Sequence, residues 1–317
     1  MTARLASTVP VRGISTILVP TDLSGESHKA LRYGAALAKK FSAELHVVYV
    51  EEIDYAIPGP ALLGSNPLAC DTEEARNVQE HLRAEVGTSV SPTFHGHTGR
   101  AYDQICRFAR ELNADLVVMA THGRTGLKRL MLGSNAERVV QHSTSPMLIV
   151  REHERELLSD EAEVAIGAIL VPTDFSASSR KAAEYAVELA RQFGARVVLF
   201  HSFTVPQFVT TDPCGPQHVG PALEEVQAAA EQQMQEFIDA GDLSGVNIST
   251  HVCAGAAAEQ ICEFAQREKM DLIVTSTHRR TGLMHVLIGS VAEHVVRHAQ
   301  CPVLVMPERE RSRPGQS

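Results

Sequence analysis

The residues best placed to do chemistry are Thr121-His122-Gly123, followed after nine residues by Gly133-Ser134. Glycine lacks a Cβ, so Gly123, Gly126 and Gly133 can adopt positive φ and let main-chain amides close on an anion. Gly133-Ser134 also opens an expected helix, whose unpaired first-turn amides and positive dipole end face outward. The Ser134 hydroxyl is a further donor, and Arg124, Lys128 and Arg129 add positive charge nearby. A hydrogen bond to a charged group contributes about 1.5–3 kcal/mol, so a few such donors can hold a polyphosphate. The same residues also read as a tight turn followed by an ordinary serine N-cap. No Gly-Lys-Ser/Thr follows a four-residue spacer, so this is not a P-loop. Nothing nearby pairs a general base with a positioned nucleophile, so any hydrolysis is expected to be slow.

The second candidate is Asp22, which closes the run Ile17-Leu18-Val19-Pro20-Thr21-Asp22. A carboxylate just past a strand serves a ligand, an Asx turn, or both. Both candidates recur: Ile169-Leu170-Val171-Pro172-Thr173-Asp174 lies 152 residues on, and Thr277-His278-Arg279-Arg280-Thr281-Gly282 lies 156 residues after its counterpart. The chain is a duplication, and the copies differ by a short insertion. They part at Gly123 against Arg279. A β-carbon where positive φ is needed costs about 1 kcal/mol or more, and a long side chain would occupy the phosphate approach. The second site, with Pro172, Thr173, Asp174, Ser276, Arg279, Gly282, Gly289 and Ser290, is therefore expected to be weakened or repurposed.

Short β-branched runs alternating with helical periodicity must position these residues. Strands are expected at Ile14 to Pro20, Leu45 to Val50, Val90 to His95, Leu116 to Ala120 and Met147 to Val150, with helices after Asp22 and at Glu73 to Val86, Ala101 to Leu112 and Asn135 to His142. The second copy repeats the order, with strands near Ala168 to Val171, Val197 to His201, Asn247 to Val252, Leu272 to Ser276 and Val303 to Met306. Alternation of this kind makes an α/β fold: two tandem doubly wound parallel five-stranded sheets with helices on both faces. Ligands bind such sheets beyond the carboxyl ends of the strands, at a switch point, which singles out the loops after the first and fourth strands. The expected domains are residues 13–151 and 166–307, with a solvated linker at 152–165 and a disordered tail at 308–317. Tyr55 to Cys70 and Thr204 to Pro221 read as lids or as surface excursions. The apolar runs Met147 to Val150 and Val303 to Met306 are edge strands that would pair within one chain as a pseudo-dimer, with a further homodimer left open.

With 317 residues, 44% hydrophobic and 21% charged, the chain suits a soluble globular protein of two domains. A formal charge of −9 gives no electrostatic reason for binding nucleic acid or an anionic membrane. Six cysteines without a CxxC pair, and no signal-like or membrane-spanning run, fit a cytoplasmic protein with reduced thiols. Cys106 and Cys262 occupy matching helical positions as small core residues. His95-Gly96-His97 would place two rings on one strand face, but nothing in sequence completes a ligand set, so zinc is not expected.

The strand-end Pro-Thr-Asp, the glycine loop, Gly-Ser opening a helix, and Ser-Pro or Cys-Pro before the last strand occur in the same order in both halves. In this the sequence resembles a tandem member of the universal stress protein family, whose nucleotide-binding members carry Gly-x2-Gly-x9-Gly-Ser/Thr after the fourth strand. The resemblance implies that Asp22 lies beside the adenosine, with Pro20, Thr21 and the backbone of Val50 lining the base pocket. It also implies that Ala120, His122, Gly123, Arg124, Gly126, Gly133, Ser134 and Asn135 form the phosphate side, with His122 shaping the turn. Ala120 replaces the leading glycine, which is tolerated if its backbone lies outside the left-handed region. The implied ligand is ATP, with Mg²⁺ or Mn²⁺ on its phosphates, and the implied output is regulatory, through an unknown protein partner. The alternatives are a non-nucleotide interaction scaffold of the same family and a weak ATPase or phosphotransferase.

Overall fold

The computed structural model describes residues 13–52, 79–80, 82–84, 86, 90–121, 133–151, 154–159, 163–204, 208–212, 215–219, 223–277 and 289–308, with backbone only at 208–212 and 215–219. In the first half, β1 (Thr16–Thr21), α1 (Gly25–Phe41), β2 (Glu44–Glu51), β3 (Thr93–Thr98), α2 (Ala101–Glu111), β4 (Leu116–Ala120), α3 (Ser134–His142) and β5 (Met147–Val150) follow one another. In the second half the order is β6 (Ala168–Pro172), α4 (Ala177–Phe193), β7 (Arg196–Phe203), β8 (Phe208–Asp212), β9 (Gly215–Val219), α5 (Leu223–Asp239), β10 (Ile248–Ala254), α6 (Ala257–Arg267), β11 (Leu272–Ser276), α7 (Ser290–His298) and β12 (Val303–Met306). Of the helix expected at Glu73 to Val86, the described residues from Gln79 onward are helical. The stretch Tyr55 to Cys70 and the tail beyond Glu308 lie outside the described residues.

Each half winds in parallel from β1 or β6 in both directions, and the two halves form one ten-stranded sheet, in the order β10-β7-β6-β11-β12-β5-β4-β1-β2-β3. The two five-stranded sheets expected from the sequence are thus joined along one edge of each. They fuse because β5 (MLIV) and β12 (VLVM) are apolar edges, and an apolar edge left unpaired exposes its amides and carbonyls. They pair antiparallel, Leu148 facing Leu304, which makes the chain an intramolecular pseudo-dimer. Single-residue alternation splits the strands between two cores. Ile17 and Val19 of β1 and Leu116 and Val118 of β4 face the α1 and α4 side, whereas Leu18, Val117 and Met119 face α2, α3, α6 and α7.

Several strand boundaries shift by one to three residues from the sequence expectation. β1 runs to Thr21, and β10 to Ala254. β3 starts only at Thr93, because Pro92 has no amide for the ladder. Part of the Thr204 to Pro221 stretch is the β8–β9 hairpin. The larger correction concerns the segment between the halves, which was expected to be solvated. Glu154 and Leu157 are buried there, and Leu158 and Val164 form an antiparallel bridge. Leu157, Val164 and Ile166 close an apolar seam between Phe41 of α1 and Phe193 of α4, whose rings meet edge to face at 5.8 Å. Charge along this segment conceals a few apolar anchors that decide its placement.

Candidate functional site

The carboxyl ends of β1 and β4 are neighbours in the sheet, with β2 beyond β1, so the chain leaves both strands at this end. After β1 the chain turns through a compact polar knot. Asp22 Oδ1 accepts from the Ser24 amide at 3.1 Å and from the Ser24 hydroxyl at 2.6 Å. Ser24 Oγ in turn accepts from the Ser27 amide at 3.2 Å and caps α1. The buried Thr21 hydroxyl meets Ser27 Oγ at 3.0 Å and accepts from the Leu23 amide at 3.1 Å. Leu23 is thereby held at φ 64°, a left-handed conformation that costs a leucine about 1 kcal/mol. Asp22 thus makes the Asx turn, with its side chain half-buried.

The β4 end is fixed differently. The Gly133 amide donates to the Thr121 carbonyl at 2.7 Å, so the start of α3 is pinned to the strand end. Gly133 is the N-cap at φ −58°, a value open to any residue, so its expected positive φ is not found. Ser134 is the first helical residue rather than the cap, and is exposed beside Asn135. Ala120 lies in β4 and Ser276 in β11, and neither has positive φ, so replacement of the leading glycine carries no backbone strain. Pro20, Thr21, Asp22, Val50, Ala120, Gly133, Ser134 and Asn135 therefore gather at one end of the sheet. His122, Gly123, Arg124 and Gly126, like Arg279 and Gly282 of the second copy, lie outside the described residues.

Sequence reasoning missed Glu52. Just past β2, its Oε1 accepts from the Ala101 amide at 3.2 Å and from Asn135 Nδ2 at 3.1 Å, tying the tips of β2, α2 and α3 together. Its signal was the alignment of the copies, which puts Thr204 and Val291 where the first has Glu52 and Asn135. The second copy keeps the first knot but changes its surroundings. Thr173 Oγ1 meets Ser179 Oγ at 3.0 Å, Asp174 Oδ1 accepts from the Ser176 amide, and Phe175 takes the left-handed position at φ 63°. The Phe175 ring lies 4.4 Å from that of His201, whose Nδ1 is 2.8 Å from the Thr173 carbonyl oxygen. Pro172 ends β6, and Gly289 caps α7 ahead of Ser290.

His95 and His97 do share a strand face, since both rings pack against Phe108. His95 Nε2 lies 3.0 Å from His46 Nδ1, and burial, then that neighbouring ring, lowers its pKa. Among the described residues no group of three His, Cys, Asp or Glu side chains could hold a metal ion. Burial pushes the Cys106 and Cys262 thiols up to about 11, as expected of core cysteines. No described helix is long and apolar enough to cross a membrane.

Two stretches of the chain, residues 13–151 and 166–307, match the model of the universal stress protein family. The chain belongs to that family. This universal stress protein is 25% identical to a universal stress protein of Mycolicibacterium smegmatis over 301 residues, covering 92% of this chain and 97% of the other. It is 37% identical to one from Methanocaldococcus jannaschii over 144 residues, covering 45% of this chain and 84% of that one. Its fold is similar to a universal stress protein crystal structure from Archaeoglobus fulgidus, with a TM-score of 0.67 at 20% identity, covering 94% of this chain and all of the other.

Proposed function

We propose that this tandem universal stress protein is a regulatory ATP-binding protein whose first half, residues 13–151, holds the nucleotide. The observation that carries the reading is the 2.7 Å bond from the Gly133 amide to the Thr121 carbonyl. It sets the start of α3, with the Ser134 hydroxyl and Asn135 amide, at the switch point beside the Asp22 turn. Donors at a helix start suit phosphate oxygens, and a half-buried carboxylate beside Pro20, Thr21 and the Val50 backbone suits an adenosine. The described residues offer no protein metal cluster, so Mg²⁺ or Mn²⁺ would be held through the phosphates, where it supplies charge neutralisation. ATP would act by favouring one arrangement of the loops, with hydrolysis slow at most. The second half, with Phe175 against His201 and Val291 in place of Asn135, is assigned little or no ATP binding.

Calorimetric titration of the full chain with MgATP tests this. One site per chain is expected, lost in Gly123→Val and retained in Arg279→Val. A flat titration of the wild type overturns the reading and leaves the interaction scaffold.

A further inference from the structure

The segment joining the halves buries a carboxyl whose facing cation stands at ion-pair rather than short hydrogen-bond distance. The Glu154 side chain has no exposed surface, and neither oxygen has a hydrogen-bond partner among the described residues. The facing cation is Lys29 Nζ of α1, 3.6 Å from Oε1 and itself buried. That ammonium donates to the Arg151 carbonyl at 2.7 Å and lies 4.0 Å from Glu156. Tyr33 of α1, whose hydroxyl accepts from the Leu157 amide at 2.8 Å, is the other titratable group on that side. From the segment itself Arg151 faces the carboxyl, and its guanidinium donates to the Ala299 carbonyl of the second half. From the second half comes the buried Cys301 thiol, ahead of β12. Glu154 therefore sits where the first half, the connecting segment and the second half meet.

The duplication supplies a control. Lys181 occupies the position matching Lys29 in α4 and is exposed, so the burial belongs to the connecting segment rather than to the repeated fold. A carboxylate stripped of water and met only by long contacts favours its neutral form. Burial outweighs the attraction of Lys29 and Arg151 and pushes this carboxyl up to about 8.

We propose that Glu154 is a proton-operated latch for the connecting segment, which stays seated across the two halves while the carboxyl is neutral and lifts when it ionises. The sign follows from linkage: with the folded pKa raised above the ordinary value of 4.5, the seated state binds more protons across the interval up to about 8. Seating is thus strongest below that interval and is lost as pH rises through it. The full latch range spans near-neutral pH, where a modest change in acidity changes the seated fraction.

Hydrogen exchange on the full chain, without nucleotide, reads the latch at the Leu157 amide, which bonds to Tyr33, and the Arg155 amide, which bonds to the Gln300 carbonyl. Corrected for intrinsic exchange, protection of both is expected to fall about tenfold for a one-unit rise in pH near neutrality, the dependence for one proton released per opening. In Glu154→Gln, which stays neutral, protection should not change with pH. Infrared spectroscopy of the wild type needs no variant: a protonated carboxyl band should persist at neutral pH and disappear on titration through about 8. Protection that is flat with pH in the wild type, an equal fall in Glu154→Gln, or the absence of that band overturns the latch. None of these readouts involves ATP, so they stand or fall separately from the nucleotide reading.

Discussion

Substitution of Asp22 separates its structural from its proposed ligand role. Oδ1 takes one backbone and one hydroxyl hydrogen bond, both from Ser24, and Ser24 caps α1. Asp22→Ala removes the acceptor of both bonds while Leu23 stays in its left-handed conformation with one fewer restraint nearby. At about 1 kcal/mol net per half-exposed hydrogen bond, the loss is about 2 kcal/mol. For a cooperative unit of this size each kcal/mol lowers Tm by about 2–4 °C, so Asp22→Ala should melt about 4–8 °C below the wild type. Asp22→Asn keeps an oxygen that can accept both bonds and should melt within about 2 °C of the wild type, while losing the negative charge. Scanning calorimetry measures the first effect and ATP titration the second. Both variants should lose ATP affinity, by about tenfold or more, whereas only the alanine variant should melt early. An asparagine variant that melts as early as the alanine variant, or an alanine variant that melts with the wild type, would refute this account of the turn.

Asp271 should matter more than its counterpart Asp115. Its buried carboxylate accepts from the Gly167 and Ala168 amides at 2.8 and 3.0 Å and pairs with Arg155 at 2.9 Å, whereas the half-buried Asp115 accepts from exposed Ser15 and half-buried Thr16. Urea unfolding of the full chain should show a loss of about 3 kcal/mol for Asp271→Ala and a smaller one for Asp115→Ala, and the reverse ranking would count against it. Gly34 of α1 leaves no room for a methyl: a Cβ there would meet Val19 Cγ2 of β1, a stiff buried side chain, although the second copy has Ala186 at this place. Gly34→Ala should therefore destabilise by about 1–2 kcal/mol despite its better helix propensity, and a stabilised variant in the same assay would show that α1 can retreat from the sheet.

Repetition made much of this legible before any coordinates. Strand order, helix order and the pairing of Met147 to Val150 with Val303 to Met306 all follow from period and apolarity, which are local properties. Thr21, Asp22, Gly133 and Ser134 were identifiable because the two copies preserve their spacing. Gly133 opens α3, as its place before Ser134 suggested, but in an ordinary conformation; the left-handed residue among the described residues of the site is Leu23, whose side chain gives no hint of it. Glu52 escaped because its partners, Ala101 and Asn135, are brought to it only by the packing of α2 and α3. The joining segment was misread because its many charges outweigh Leu157, Leu158 and Val164 in composition, yet those few residues fill the seam.

The antiparallel junction of β5 with β12 has a geometric consequence. In the ten-stranded sheet the strands of the second half run against those of the first, so the carboxyl ends of β1 and β4 lie at one end of the sheet and those of β6 and β11 at the other. A partner docked at either end therefore meets the carboxyl ends of one copy's strands beside the amino ends of the other's.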